Sequence, residues 1–185
     1  MQVIAVVGTK KSGKTTTIEN LIRELTQRGY AVAAIKHVPE PDFTIDTPGK
    51  DTWRYAKAGA KTIISAAANE ITTIEKANIA SMPLSALLKK CQNSDVVFIE
   101  GFKRLVAAKR DIPKIVVVKS REEAENAFNL FKPILAFSGG YSTESLGSEV
   151  PYADGLKNPE KLADIVENIL LKKGNCILKR CEHAF

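Results

Sequence analysis

Cysteine is scarce in this chain and odd in number. Cys91, Cys176 and Cys181 are too few and too scattered for a disulfide framework. No apolar run is long enough to span a bilayer. Gln2 to Val7 is apolar, but it is too short for a signal peptide, lacks a basic n-region and runs straight into a glycine loop, so the chain reads as cytoplasmic. The net charge is +6, yet no long basic run appears. That surplus fits a mildly basic surface with a taste for anions such as phosphates. Aromatic-rich RNA-binding motifs and zinc-finger spacings are both missing, so nucleic acid is not an expected partner. Internal repeats and low-complexity segments are absent as well.

What is present is the composition of a soluble globular protein, 44% hydrophobic and 26% charged over 185 residues. Short apolar runs alternate with amphipathic stretches. Gln2 to Val7, Ala31 to Lys36, Lys61 to Ala66, Glu70 to Glu75, Val96 to Ile99, Ile115 to Val118 and Ile134 to Phe137 read as strands. Helices are expected on Ile18, Leu21, Ile22 and Leu25, with Gly29 as the stop, and on Leu84, Leu87, Leu88 and Cys91, which puts Cys91 in the core. A further helix follows the capping-box signature of Ser120 and Glu123, and a last one starts at Asn158 and Pro159. Asp51 is placed to cap a short helix ending at Gly59. Pro39 to Lys50 and Ser138 to Gly155 read as loops. This order predicts an α/β fold: a three-layer P-loop NTPase architecture, with a mainly parallel central sheet and helices on both faces. Residues 1–173 are expected to form one nucleotide-binding domain, and 174–185 a short tail.

The chemistry starts at Gly8-Thr9-Lys10-Lys11-Ser12-Gly13-Lys14-Thr15, which matches G-x-x-x-x-G-K-[ST] at every fixed position. The match follows an expected strand and opens an expected helix, the setting that a phosphate-binding loop needs. Glycines let the backbone wrap phosphate oxygens, and the N–H groups with the helix N-terminus supply partial positive charge. Lys14 is expected to reach the β- and γ-phosphates as a catalytic cation, and the Thr15 hydroxyl to hold Mg²⁺. Thr16 follows in the same first turn. Glu100 ends an apolar strand at the side where ligands bind in open α/β sheets, so it is expected to face Mg²⁺ or its water as a catalytic carboxylate. Gly101 beside it permits close approach of a ligand. Asp95, at the other end of that strand, reads as structural.

A second cluster follows. Lys36 and His37 close a strand at the ligand end, and Asp46, Gly49, Lys50, Asp51 and Arg54 follow in the loop and helix beyond. Arg54 has the planar fork that suits phosphate oxygens, and Asp46 is a candidate second Mg²⁺ ligand. Lys36, Lys50 and Arg54 together read as an anion-binding surface.

These residues also carry a resemblance. The P-loop, Ile35-Lys36-His37, the stretch Asp46-Thr47-Pro48-Gly49-Lys50-Asp51 with Arg54, Ala58-Gly59-Ala60, and Ile99-Glu100-Gly101-Phe102-Lys103 resemble the MobB family of molybdopterin-guanine dinucleotide biosynthesis. The resemblance runs to about Leu171. It implies a GTP-binding accessory protein with weak Mg²⁺-dependent GTPase activity, usually a homodimer. It also implies a helper role in attaching GMP to molybdopterin. The implied partners are molybdopterin, the separate guanylyltransferase, and molybdoenzyme or tungstoenzyme apoproteins, with no membrane. The chain departs from the family after His37, where Val38-Pro39-Glu40-Pro41 stand in place of further histidines, and in the tail with Cys176, Cys181 and His183. An N/T-K-x-D base-reading motif is missing, which leaves the loop from Ser138 to Gly140 as the candidate to meet the base through its backbone. Two other readings use the same cradle: a small P-loop kinase, with Arg104 and Arg110 as lid arginines, and a nucleotide-switched adaptor whose output is partner binding.

Overall fold

The computed structural model describes residues 1–172, so the expected tail with Cys176, Cys181 and His183 lies outside the described residues. Where the sequence reads as one domain, the chain divides into two compact units: Met1–His37 with Leu87 onward, and Val38–Ala86.

The larger unit is built on a five-stranded sheet in the order β2-β5-β1-β6-β7. The strands are β1 (Gln2–Gly8), β2 (Val32–Lys36), β5 (Val96–Glu100), β6 (Lys114–Val117) and β7 (Ile134–Ser138), and every pairing is parallel. The β-branched runs explain why. Ile4, Val6, Val96, Phe98, Ile115 and Val117 are all fully buried, as strands covered on both faces must be. Helices α1 (Lys14–Gln27) and α6 (Pro159–Lys172) pack together, burying Ile18, Leu21 and Leu25 of the first and Leu162, Val166 and Leu170 of the second. The remaining helices of this unit are α4 (Lys103–Val106) and α5 (Arg121–Leu130).

Asp95 has the structural role expected of it. Its carboxylate accepts from the Ala31 N–H at 2.7 Å and its carbonyl from the Gln2 N–H at 2.7 Å, so one residue sets the starts of three strands. The four-residue α4 was not foreseen, nor was the burial of Lys114. That ammonium sits fully inside and donates to the carbonyls of Lys109 and Lys132, which replace its lost hydration.

The smaller unit holds α2 (Asp51–Lys57) and an antiparallel hairpin of β3 (Thr62–Ala66) and β4 (Ile71–Glu75), turning at Ala68-Asn69. Lys50, not Asp51, occupies the N-cap of α2. Asp51 is the first helical residue, where the helix dipole still favours its charge. The loop from Pro39 to Lys50 contains no helix or strand, as expected. Helix α3 (Leu84–Lys89) spans the point where the units divide. Cys91 falls beyond its end and is half-buried rather than core, although burial still pushes its thiol up.

Arg28 ties α1 to α6 through Asp164 at 2.8 Å and Glu167 at 2.7 Å, and the Tyr30 hydroxyl donates to Glu167 at 3.0 Å. Burial first, and then Glu167, push the Tyr30 phenol from 10.0 to about 12. A proton held more tightly in the folded state stabilises it fully below the unfolded pKa, and that contribution is lost as pH rises through the folded value. Tyr30→Phe keeps the ring packing but should cost about 1–2 kcal/mol at neutral pH. In urea unfolding, the gap between parent and variant should close as pH climbs from 10.0 to about 12.

Candidate functional site

The site follows from the register of three parallel strands. Lys36 of β2 is the partner of Glu100 on β5, and Val6 of β1 is the partner of Glu100 on its other side. Because all three run the same way, the chain leaves β1 into the P-loop beside the Glu100 carboxylate. Strand order reverses across β1, and crevices at such points take ligands in open α/β sheets.

Lys10 to Thr16 and Glu100 line a cavity of about 410 Å³. Among the described residues, the main-chain N–H groups of Lys10, Lys11 and Gly13 donate to no other main-chain group. The Ser12 hydroxyl is buried and lacks a partner. Donors gathered at a helix N-terminus suit a polyphosphate. Gly8 is required by crowding: a Cβ there would stand 2.3 Å from the Val117 carbonyl oxygen. The Lys14 ammonium donates to the Thr9 carbonyl, inside the loop that it would serve. Burial lowers its pKa; Glu100 opposes that shift, and Lys119 and Lys36 add to it. A bound anion would restore the charge balance.

Thr15 and Glu100 meet. The Thr15 hydroxyl donates to the Glu100 carboxylate at 3.1 and 3.3 Å from its two oxygens, and Lys36 Nζ stands 3.4 Å from Oε2. A hydroxyl and a carboxylate side by side are hard oxygen donors of the kind that Mg²⁺ takes directly or through water. Among the described residues no group of three or more His, Cys, Asp or Glu side chains gathers as a metal site.

Other expected residues fall differently. The close approach at Gly101 is made by the protein itself, because a Cβ there would lie 2.8 Å from the His37 Cβ. His37 packs on Phe102, with ring centroids 4.6 Å apart, and its N–H donates to the Glu100 carbonyl at 2.9 Å. The Gly139 carbonyl accepts from the Tyr152 hydroxyl at 2.7 Å. Asp46, Lys50 and Arg54 belong to the smaller unit. There Asp46 Oδ1 accepts from the Thr47 N–H and the Thr52 hydroxyl, while exposed Arg54 pairs with Asp51 at 3.6 Å.

Sequence reasoning missed Glu123 and Lys119. Ser120 caps α5 by accepting from the Glu123 N–H, as the signature predicts. The Glu123 carboxylate, however, reaches the P-loop, accepting from the Thr9 hydroxyl at 2.9 Å and from the Lys119 N–H at 2.9 Å. The Lys119 ammonium donates to the Lys10 carbonyl at 3.3 Å. The capping box was the available signal, read as a helix start alone.

The family model described as "Molybdopterin guanine dinucleotide synthesis protein B" matches residues 3–138. The chain belongs to the MobB family. The adapter protein for molybdopterin-guanine dinucleotide biosynthesis in Haemophilus influenzae is 31% identical over 169 residues, 90% of this chain and 88% of that one. A Methanocaldococcus jannaschii protein named for the same role is 39% identical over 127 residues, 68% of this chain but only half the length of that protein. Among solved structures, Bacillus subtilis MobB superposes with a TM-score of 0.69 at 27% identity, covering 91% of this chain and 97% of that one. A second structure titled molybdopterin-guanine biosynthesis protein B gives 0.70 at 25% identity, covering 91% and 98%. The mainly parallel α/β fold of MobB is thus shared. Among the described residues, no helix is long and apolar enough to cross a membrane.

Burial alone would push the Glu123 carboxyl up, but the Lys119 N–H, the Thr9 hydroxyl and the Lys119 charge outweigh it and hold the carboxyl below its usual range. A depressed carboxyl stabilises the fold above its unfolded pKa, and that stability is lost as pH falls through the folded value. Glu123→Gln should therefore cost about 1–2 kcal/mol at neutral pH. Thermal unfolding should show the gap to the parent narrowing in acid, below the ordinary carboxylate range.

Proposed function

We propose that this MobB-family chain is a GTP-binding adapter in molybdopterin-guanine dinucleotide synthesis, with slow Mg²⁺-dependent GTP hydrolysis at the P-loop. The observation that carries the reading is the meeting of Thr15 and Glu100 at the mouth of a cradle with N–H groups that donate to no other main-chain group. The adapter role comes from the relatives, which are named for it. The choice of guanine rests on the same kinship, since the chain has no N/T-K-x-D motif.

In this reading the N–H groups of Lys10 to Gly13 and the Lys14 ammonium bind the β- and γ-phosphates. Thr15 and Glu100 would hold the Mg²⁺, with Lys36, 3.4 Å from Oε2, keeping the Glu100 side chain in place. A metal held there would supply neutralisation of phosphate charge. Glu123 and Lys119 fix the start of the loop, so that its donors are aimed before the nucleotide arrives. With Glu100 engaged by Thr15 and Lys36, few groups are free to activate water, which suits slow turnover. The partners are then molybdopterin, the guanylyltransferase that transfers GMP, and a second copy of the chain.

Lys14→Ala should weaken GTP binding by about tenfold to a hundredfold, the loss of a charge-assisted phosphate contact. Titration with a fluorescent GTP analogue checks this, with circular dichroism to show that the fold survives. Unchanged affinity in the folded variant would remove the assignment. Glu100→Gln should retain GTP affinity within a few-fold and lose most Mg²⁺-dependent hydrolysis, because the amide is a poor metal partner. Phosphate release at the parental rate would take Glu100 out of the metal site.

A further inference from the structure

The smaller unit carries a pocket that the nucleotide reading does not use. It has a volume of about 420 Å³, within the range of small-molecule sites. Its lining includes Phe43, Thr44, Asp46, Trp53, Lys57 and Lys76, all within 38–86. The mix of groups is specific. Trp53 is half-buried and offers an indole ring, with the Lys57 ammonium 5.3 Å from the ring centroid. Asp46 uses only one oxygen within its own loop, and Oδ2 is buried with no hydrogen-bond partner. A buried carboxylate oxygen without a donor is costly unless something supplies an N–H. An aromatic side chain, the Asp42 and Asp46 carboxylates, one oxygen of Asp46 lacking a donor, and two ammonium groups together suit one kind of ligand. It is a flat heterocycle with adjacent N–H donors on one edge and an anionic group on another.

We infer that this pocket binds a phosphorylated pterin, with the pteridine ring against Trp53, its 2-amino and N3–H edge on Asp46, and its phosphate on Lys57 and Lys76. The inference rests on the adapter reading for its choice of ligand. Guanine presents the same 2-amino-4-oxo edge, so the shared chemistry is that edge on a fused ring bearing phosphate. The pterin is favoured because the phosphates of the nucleotide have a cradle in the larger unit, whereas nothing in that cradle suits a second heterocycle. The assignment gives Asp46 a task other than metal binding and moves the anion contacts from Lys50 and Arg54 to Lys57 and Lys76.

Trp53 is the only tryptophan in the chain, so its emission reports on this pocket. The full chain is titrated with 6-hydroxymethylpterin monophosphate, unphosphorylated 6-hydroxymethylpterin and GMP. Emission is followed with correction for pterin absorbance, and calorimetry gives an independent affinity. The expected result is saturable quenching by the pterin phosphate, with about tenfold weaker binding when the phosphate is absent. Lys57→Ala and Lys76→Ala should each weaken the phosphorylated ligand and leave the unphosphorylated one unchanged. Asp46→Asn should weaken both. Absence of saturable binding by either method overturns the inference, as does GMP binding as tightly as the pterin phosphate. So does a phosphate dependence that survives the double lysine variant. GTP is titrated in parallel. GTP binding without pterin binding sinks the pocket assignment alone, and pterin binding without GTP binding sinks the nucleotide reading alone.

Discussion

The parallel register of β2, β5 and β1 is the constraint on which the candidate site depends. Lys36, Glu100 and the start of the P-loop share one edge of the sheet only because Lys36 and Val6 both pair with Glu100. A slip of one residue in β5 would turn Glu100 to the other face and away from Thr15. The register is held from the far end, where Asp95 fixes Ala31 and Gln2, and along its length by side chains with no exposure. Core packing in this chain therefore acts directly on site geometry. The 3.1 Å contact between Thr15 and Glu100 is the visible result.

The cradle carries a cost that the rest of the unit offsets. The Ser12 hydroxyl is buried without a partner, and an unpaired buried polar group is unfavourable. The loop keeps this arrangement because it is clamped at several points. Glu123 and Lys119 hold Thr9 and Lys10. The Thr17 hydroxyl donates to the Gly13 carbonyl at 3.0 Å, and Asn20 to the Gly155 carbonyl at 2.8 Å. Ser138 in turn accepts from the Gly155 N–H at 2.9 Å, which fastens the long loop before α6 to the end of β7. Donors held open in this way need little reorganisation to receive charge.

Much of this was legible in the sequence because it is written in local pattern. Continuous β-branched runs marked the buried strands, 3.6-residue spacing marked α1 and α6, and the P-loop spelled out its own turn. The reach of Glu123 into the loop was not legible, since a capping box fixes a helix start and says nothing about what the carboxylate meets across the sheet. Lys114 reads as a surface charge, and only tertiary structure brings the Lys109 and Lys132 carbonyls to it. Gly101 was read as room for a ligand, but the neighbour that crowds it is His37, which reaches it from the adjacent strand end. The boundary between the two compact units is not written in local pattern, since the strands of the hairpin carry the same residue types as those of the main sheet.

The two units are built on different physics, and this bears on how an adapter works. The larger one rests on a sheet buried on both faces. The smaller one has a two-stranded hairpin and a seven-residue helix, with Ile63 buried but Phe43, Ile64 and Ile71 exposed. A hairpin alone is marginally stable in water, and a unit with so few buried side chains opens locally at lower cost than the sheet. Its loop is held by modest contacts, among them the Asp46 bonds to Thr47 and Thr52. A ligand stabilises most visibly the unit that opens most easily, because binding adds free energy to the closed form alone. A heterocycle seated against Trp53 and Asp46 would therefore order the Pro39 to Lys50 loop. The buried sheet, and with it the loop after β1, would gain little rigidity from a ligand of its own, so any ligand would act chiefly on the unit that holds it.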